Sequence, residues 1–320
     1  MYKISLCCGV ALEKKGYLPS IEDEFISSIT DGTIEAFLEL WFDNIRNNFD
    51  IIRKSESVKN IPKHPDIPAI VVGAGPSVKE KNHMKLIRES DFGGIIIAVD
   101  RMLVPLLEEG IVPDFVINAD GHCENILNFF DNPLVDQHAS EITAVFATIA
   151  PSNAVNRFVG RKYFYNPMID NIDSTTSITR CMKFLTKMSI LNTTGNVGGF
   201  GVIFAYYLKC NPIAMIGLNY GYPGGTSLQD TYAYPNIRTA FPNLTDEEIY
   251  DRFYIQVDHP FFKEGGFTEP IFSYYKIGLL EAATTISEEG YTIFNCTEGG
   301  IIYEEPIKCL RLAEFLESCR

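Results

Sequence analysis

The sequence predicts a doubly wound α/β fold, and three observations carry that prediction. Short apolar runs rich in β-branched residues recur along the chain. They are continuous rather than alternating, which marks strands covered on both faces of a mostly parallel sheet. Helical patterns separate most of them, the βα rhythm whose crossovers are right-handed. Glycine or an acid stands directly after several runs, where open parallel sheets bind ligands. The 320 residues are 46% hydrophobic and 21% charged, enough to bury a substantial core in one large or two modest domains.

The elements follow in order. From Thr33, the apolar residues Ile34, Phe37, Leu38, Trp41, Ile45, Phe49 and Ile52 fall on one face of a helix. Thr33 suits its N-cap and Glu35 its positive end. This helical extension occupies residues 1–65, because Pro62, Pro65 and Pro68 stop it. The nucleotide-binding domain is expected over 66–218. Its strands are 69–72, 94–99 and 115–119, with helical stretches at 79–90, 102–109 and near 124–130. Weaker strands at 143–147 and 163–165 come next, then an apolar helix at 197–208 and a strand at 212–216. Over 219–270 the texture changes to a Tyr-rich excursion or lid, with Tyr220, Tyr222, Tyr232, Tyr234, Tyr250 and Tyr254. A helix at 274–287, a strand at 292–294 and a helix at 307–318 complete the domain over 271–320. The pattern is Rossmann-like.

Charge and cysteine usage exclude several classes. A net charge of −14 argues against non-specific nucleic-acid binding, which needs cations to displace phosphate counterions. A nucleotide ligand stays compatible, because helix N-termini and metal ions hold phosphate without net positive charge. No apolar run approaches the ~18 residues of a membrane span. The stretch 4–12 resembles a signal core, but Lys14 and Lys15 follow it instead of preceding it. The expectation is a soluble, cytoplasmic protein. The eight cysteines show no C-x-x-C spacing, so reduced thiols are expected over a zinc site or disulfide framework. Oligomeric state is not legible.

Candidate chemistry lies after the strands. Gly73, Ala74, Gly75, Pro76 and Ser77 follow the first. The glycines suit a sharp turn, Pro76 a first helical turn, and the free amides a phosphate. Val78 stands where a dinucleotide fingerprint has its third glycine, which argues against an NAD enzyme. Asp100 and Asp120 follow the next two strands and suit ribose hydroxyls or Mg²⁺; Asp114 enters the third. Caps on turns and helices are the competing explanation for Asp114 and Asp120. Asn196, Gly198, Gly199 and Gly201 open the apolar helix. Such costly glycines imply close approach of a ligand or a packed strand. Glu298 sits in a late turn, as a site carboxylate or a solvated one. His122, two residues past Asp120, is the one histidine beside the candidate site.

Together, 68–77, 95–100, and 110–116 through Asp120 resemble the MptE-like family. Residues 196–199 and 212–217 resemble its later glycine-rich helix and strand. Residues 297–300 and 42–48 resemble its longer branch, the motility accessory factors. The resemblance covers roughly 42–305. For the archaeal 6-hydroxymethyl-7,8-dihydropterin diphosphokinases it implies ATP and Mg²⁺. Phosphates would then sit at 73–77, Asp120 and Asp100 would hold metal or ribose, and His122 would take the acceptor proton. For the motility factors it implies glycosyl transfer from a CMP-activated nonulosonic acid, with the tyrosines binding sugar or the leaving phosphate. A non-catalytic nucleotide-binding module is the remaining alternative. Two departures stand out. The acidic run of the short kinases is replaced here by Gly195, Asn196, Val197 and Gly198, and the chain is longer at its N-terminus and in the excursion.

Overall fold

The structure is a computed structural model that describes residues 20–121, 125–263 and 265–320, with side chains of the leading helix from Gly32 onward. Thirteen strands occur among the described residues: β1 (Glu56–Ser57), β2 (Ala69–Val72), β3 (Ile95–Val99), β4 (Phe115–Asn118), β5 (Thr143–Ala147), β6 (Arg161–Pro167), β7 (Ser189–Leu191), β8 (Ile213–Ile216), β9 (Tyr222–Pro223), β10 (Ile255–Asp258), β11 (Gly265–Thr268), β12 (Ile293–Asn295) and β13 (Lys308–Cys309). Ten of them form one sheet in the order β1-β6-β5-β4-β3-β2-β8-β12-β13, with β7 also paired to β6. Every pairing in that sheet is parallel. This is the predicted doubly wound sheet.

From β2 the chain steps outward to β6, then returns to lay β8 against the free side of β2. The order therefore reverses between β2 and β8, which creates a crevice at their carboxyl ends. Val72 is in register with both Ala98 and Ile216, so the turns after β2, β3 and β8 leave the sheet side by side. Each of these strands is buried along its whole length. Alternate residues serve opposite layers, as strand geometry requires. Val71, Ile97 and Ile117 meet Phe200 and Phe204 of the Val197–Tyr207 helix on one face. Ile70, Ile96 and Ala214 meet Leu312 and Phe315 on the other.

The leading helix runs Ser20–Lys54, so Thr33 lies in its interior and does not cap it. It is built into the core. Trp41 and Ile45 join the main apolar cluster. The buried Asn44 donates from Nδ2 to the carbonyls of Gly121 and Ile149, both at 2.9 Å, and Asn48 to that of Ala150 at 2.8 Å. The expected helix at 79–90 is two pieces, Ser77–Glu80 and His83–Glu89, broken where Asn82 takes φ 55°. The excursion carries helices Tyr234–Ala240 and Asp246–Phe253 and a small antiparallel sheet, β10-β11-β9. Its aromatic residues largely pack on one another: Tyr254 and Phe267 form a cluster with Ala233, Ile237 and Ile249, against which Tyr222 and Tyr250 rest. Glu269 ties it down, accepting from the Tyr222 hydroxyl at 3.1 Å and the Ala233 amide at 3.0 Å. No helix among the described residues is long and apolar enough to cross a membrane.

The glycine-rich helix explains itself partly through this packing. A Cβ at Gly201 would stand 2.4 Å from Val71 Cγ1, so the helix reaches β2 only because the side chain is missing. Gly201→Ala is expected to destabilise the protein by about 1–3 kcal/mol through overpacking, overriding the ~1 kcal/mol helix-propensity gain. Urea denaturation checks the sign.

Candidate functional site

The turns after β2 and β8 are joined backbone to backbone. The Gly73 amide donates to the Ile216 carbonyl and the Gly75 amide to the Gly217 carbonyl, both at 2.8 Å. A Cβ at Gly75 would come within 2.2 Å of Asn219 Oδ1 and 2.6 Å of the Gly217 carbonyl oxygen. Glycine is thus required at 75 by the protein's own backbone. Beside this junction opens a cleft of about 230 Å³ at the carboxyl ends of β2, β3, β4 and β8. Five of the expected residues line it: Gly73, Asp100, Asp120, Asn196 and Gly198. They come from four separate segments of the chain.

Asp100 opens the turn after β3 and is buried. Its Oδ1 accepts from the Arg101 amide at 2.8 Å and its Oδ2 from Asn118 Nδ2 at 2.9 Å. Burial pushes its pKa up to about 6, reinforced by nearby Asp120; the two hydrogen bonds and the Arg101 charge oppose the rise. Asp120 is exposed, at the turn after β4 whose next residue is held by Asn44. Across the cleft, Asn196 caps the Val197–Tyr207 helix, its Oδ1 accepting from the Gly199 amide and the Tyr220 hydroxyl at 2.9 Å each. The amides of Val197 and Gly198 therefore stand at a positively polarised helix end that lines the same cleft as the two carboxylates.

Arg101, Phe129 and Tyr220 are among the lining residues not singled out for the site from the sequence. Arg101 directly follows Asp100, and that adjacency was the signal available. Phe129 sat in the expected helix near 124–130, and Tyr220 was counted with the excursion.

Other expected site residues lie elsewhere. Gly75, Pro76 and Ser77 do not line the cleft. The buried Ser77 hydroxyl donates to Asn219 Oδ1 at 2.9 Å, and the helix it begins is only four residues long. The helix end at the cleft belongs to Val197. Glu298 is also absent from the lining. Its Oε1 accepts from the Leu312 amide at 3.1 Å. The same oxygen lies 3.4 Å from Nε2 of the fully buried His83, a contact whose geometry falls short of a hydrogen bond. Glu298 thus fastens the C-terminal helix to the His83–Glu89 helix. His122 falls outside the described residues. Among those described, no group of three or more His, Cys, Asp or Glu is placed to hold a metal ion. Cys181, Cys210, Cys296, Cys309 and Cys319 are free thiols.

A doubly wound parallel sheet with a polar cleft at its switch point defines the class of α/β proteins that bind ligands at strand ends. Within that class the chain belongs to the MptE-like family: the family model described as 6-hydroxymethylpterin diphosphokinase MptE-like matches residues 40–225. The chain is 30% identical over 167 residues to the 6-hydroxymethyl-7,8-dihydropterin pyrophosphokinase of Methanothermobacter thermautotrophicus, covering 49% of this chain and 60% of that protein. It is 26% identical over 154 residues to the enzyme of the same name from Methanocaldococcus jannaschii, covering 47% and 58%. The chain thus spans less than two thirds of the length of these relatives. The solved MAf glycosyltransferase from Magnetospirillum magneticum AMB-1 superposes with a TM-score of 0.53 at 16% identity, over 84% of this chain and 38% of the other. That likeness shows the fold.

The Asp100 environment makes a pH prediction. The folded protein keeps the Asp100 proton up to about pH 6, whereas an unfolded chain releases it near ~3.9. Stability should therefore fall as pH rises through that window, by roughly 2–3 kcal/mol. Asp100→Asn should remove this fall and be more stable than wild type at pH 7.5. Its Oδ1 can keep the bond from the Arg101 amide and its Nδ2 can donate to Asn118 Oδ1 once the Asn118 amide turns over. Denaturant midpoints from pH 4 to 8 for both proteins check the difference.

Proposed function

We propose that the protein is a nucleotide-dependent transferase that moves a diphosphate group from ATP to a hydroxymethyl acceptor, the activity that the names of its curated relatives carry. One observation supports this above others: Asp100, Asp120 and the N-terminus of the Val197–Tyr207 helix face a single cleft. All three lie inside the family-matched residues 40–225. The helix amides at Val197 and Gly198 receive phosphate oxygens. The ring faces of Phe129 and Tyr220 suit a base or a flat acceptor.

Asp100 and Asp120 are the residues that would hold Mg²⁺. The donor set fits, because Mg²⁺ commonly takes one or two protein carboxylates and completes its shell with phosphate oxygens and water. When bound, the ion supplies charge neutralisation. In the transfer itself, the acceptor hydroxyl oxygen bonds to the β-phosphorus and the bond to the α–β bridging oxygen breaks. AMP leaves and the hydroxyl proton is released. The protein's part is positioning and electrostatics.

A nucleotide panel followed by thermal unfolding tests the reading. ATP with Mg²⁺ at 100 times its Kd should stabilise the protein by about 2.7 kcal/mol, and AMP should form when 6-hydroxymethyl-7,8-dihydropterin is added. Asp120→Asn should lose the Mg²⁺ dependence and most turnover with little change in stability, since the side chain is exposed. Stabilisation by CMP or CTP, independent of Mg²⁺, would favour glycosyl transfer instead. Binding without any product would leave a nucleotide-binding module.

A further inference from the structure

Arg101 is the one Lys or Arg among the residues lining the cleft. Its backbone is fixed in the short turn Asp100–Met102, immediately after β3, by the hydrogen bond from its amide to Asp100. Its side chain is exposed, with Cζ 5.7 Å from the centroid of the Phe129 ring, another lining residue. Among the described residues its guanidinium makes no ion pair, whereas Arg88, Arg157 and Arg238 each bind a carboxylate. An aromatic face holds a guanidinium in place without consuming its hydrogen-bond donors. Among the described residues no carboxylate takes up the fork, which lines a cleft containing two carboxylates.

We infer that Arg101 is the specificity-determining residue that selects a nucleotide carrying a polyphosphate over its monophosphate counterpart; the inference rests on the nucleotide reading above. A cation on Asp100 and Asp120 would offset only part of the charge of a phosphate chain, and the charge left over grows with each added phosphate. A monophosphate can be held by the Val197 and Gly198 amides alone. A di- or triphosphate extends beyond them and needs a further positive group. A planar guanidinium meets that need through two parallel hydrogen bonds to phosphate oxygens, which an ammonium cannot form. The role does not depend on the base, so it applies to adenosine and cytidine nucleotides alike.

The test is calorimetric titration of the intact protein with ATP, AMP, CTP and CMP at fixed Mg²⁺, in wild type, Arg101→Ala and Arg101→Lys. Wild type should bind at least one triphosphate more tightly than the matching monophosphate. Arg101→Ala should weaken that triphosphate by about tenfold or more and the monophosphate by less than about twofold. Arg101→Lys should fall between, restoring charge but not the paired hydrogen bonds. Equal weakening of both nucleotides overturns the inference, as does undiminished triphosphate affinity in Arg101→Ala; either outcome leaves the nucleotide reading standing. Tighter binding of the monophosphate by wild type also overturns it. Failure of wild type to bind any of the four overturns the nucleotide reading and the inference with it. A thermal midpoint for each variant separates lost binding from lost folding.

Discussion

The contact between the turns after β2 and β8 is the constraint on which the remaining arrangement depends. Two backbone hydrogen bonds, from Gly73 to Ile216 and from Gly75 to Gly217, draw the halves of the sheet together at the point where strand order reverses. The approach leaves no space for a Cβ at 75. With the turns locked, Asn219 extends the junction, accepting from Ser77 through its side chain and from the Ile301 amide through its carbonyl. Gly198 rests against Leu218, with 3.2 Å from an added Cβ to Leu218 Cγ. The helix end at the cleft is thereby referenced to the same turn. The glycines of this turn also join two strands.

Around that junction the protein assembles charges that do not favour one another. Asp100 is buried beside another carboxylate and keeps its place through hydrogen bonds from Asn118 and the Arg101 amide. Buried groups of this kind cost stability and concentrate at functional sites. The leading helix contributes to the same site from outside the sheet. Asn44 bridges the carbonyls of Gly121 and Ile149, one turn after β4 and one after β5, and so braces the turn that carries Asp120. The polar side chains of that helix were unremarkable as a pattern; their role follows from which carbonyls they meet.

The tyrosines of the excursion also build its interior. Its tyrosines suggest a binding surface, yet Tyr222, Tyr250 and Tyr254 pack on Phe267, and the Tyr254 hydroxyl pairs with Thr231. A small antiparallel unit has few aliphatic residues with which to fill its interior, and aromatic rings supply the volume. Of the six, only Tyr220 lines the cleft. It does so because its hydroxyl reaches the Asn196 cap.

The sequence by itself determined the parallel sheet, its main strands and the association of Gly73, Asp100, Asp120, Asn196 and Gly198 with one strand-end cleft. Those follow from local rules: continuous β-branched runs fill a doubly covered sheet, and ligand turns emerge at carboxyl ends. The short edge pieces β1, β7 and β13 escaped notice because two or three residues leave no period to read. Only the tertiary structure decided what each of these residues contacts. Ser77 and Glu298 have the chemistry of site groups, but Asn219, Leu312 and His83 occupy them. Arg101 meets the Phe129 ring only in the folded chain. The physical reason is that a side chain's role depends on which polar partners reach it first. Those partners lie tens to hundreds of residues away in sequence, and only chain closure brings them together.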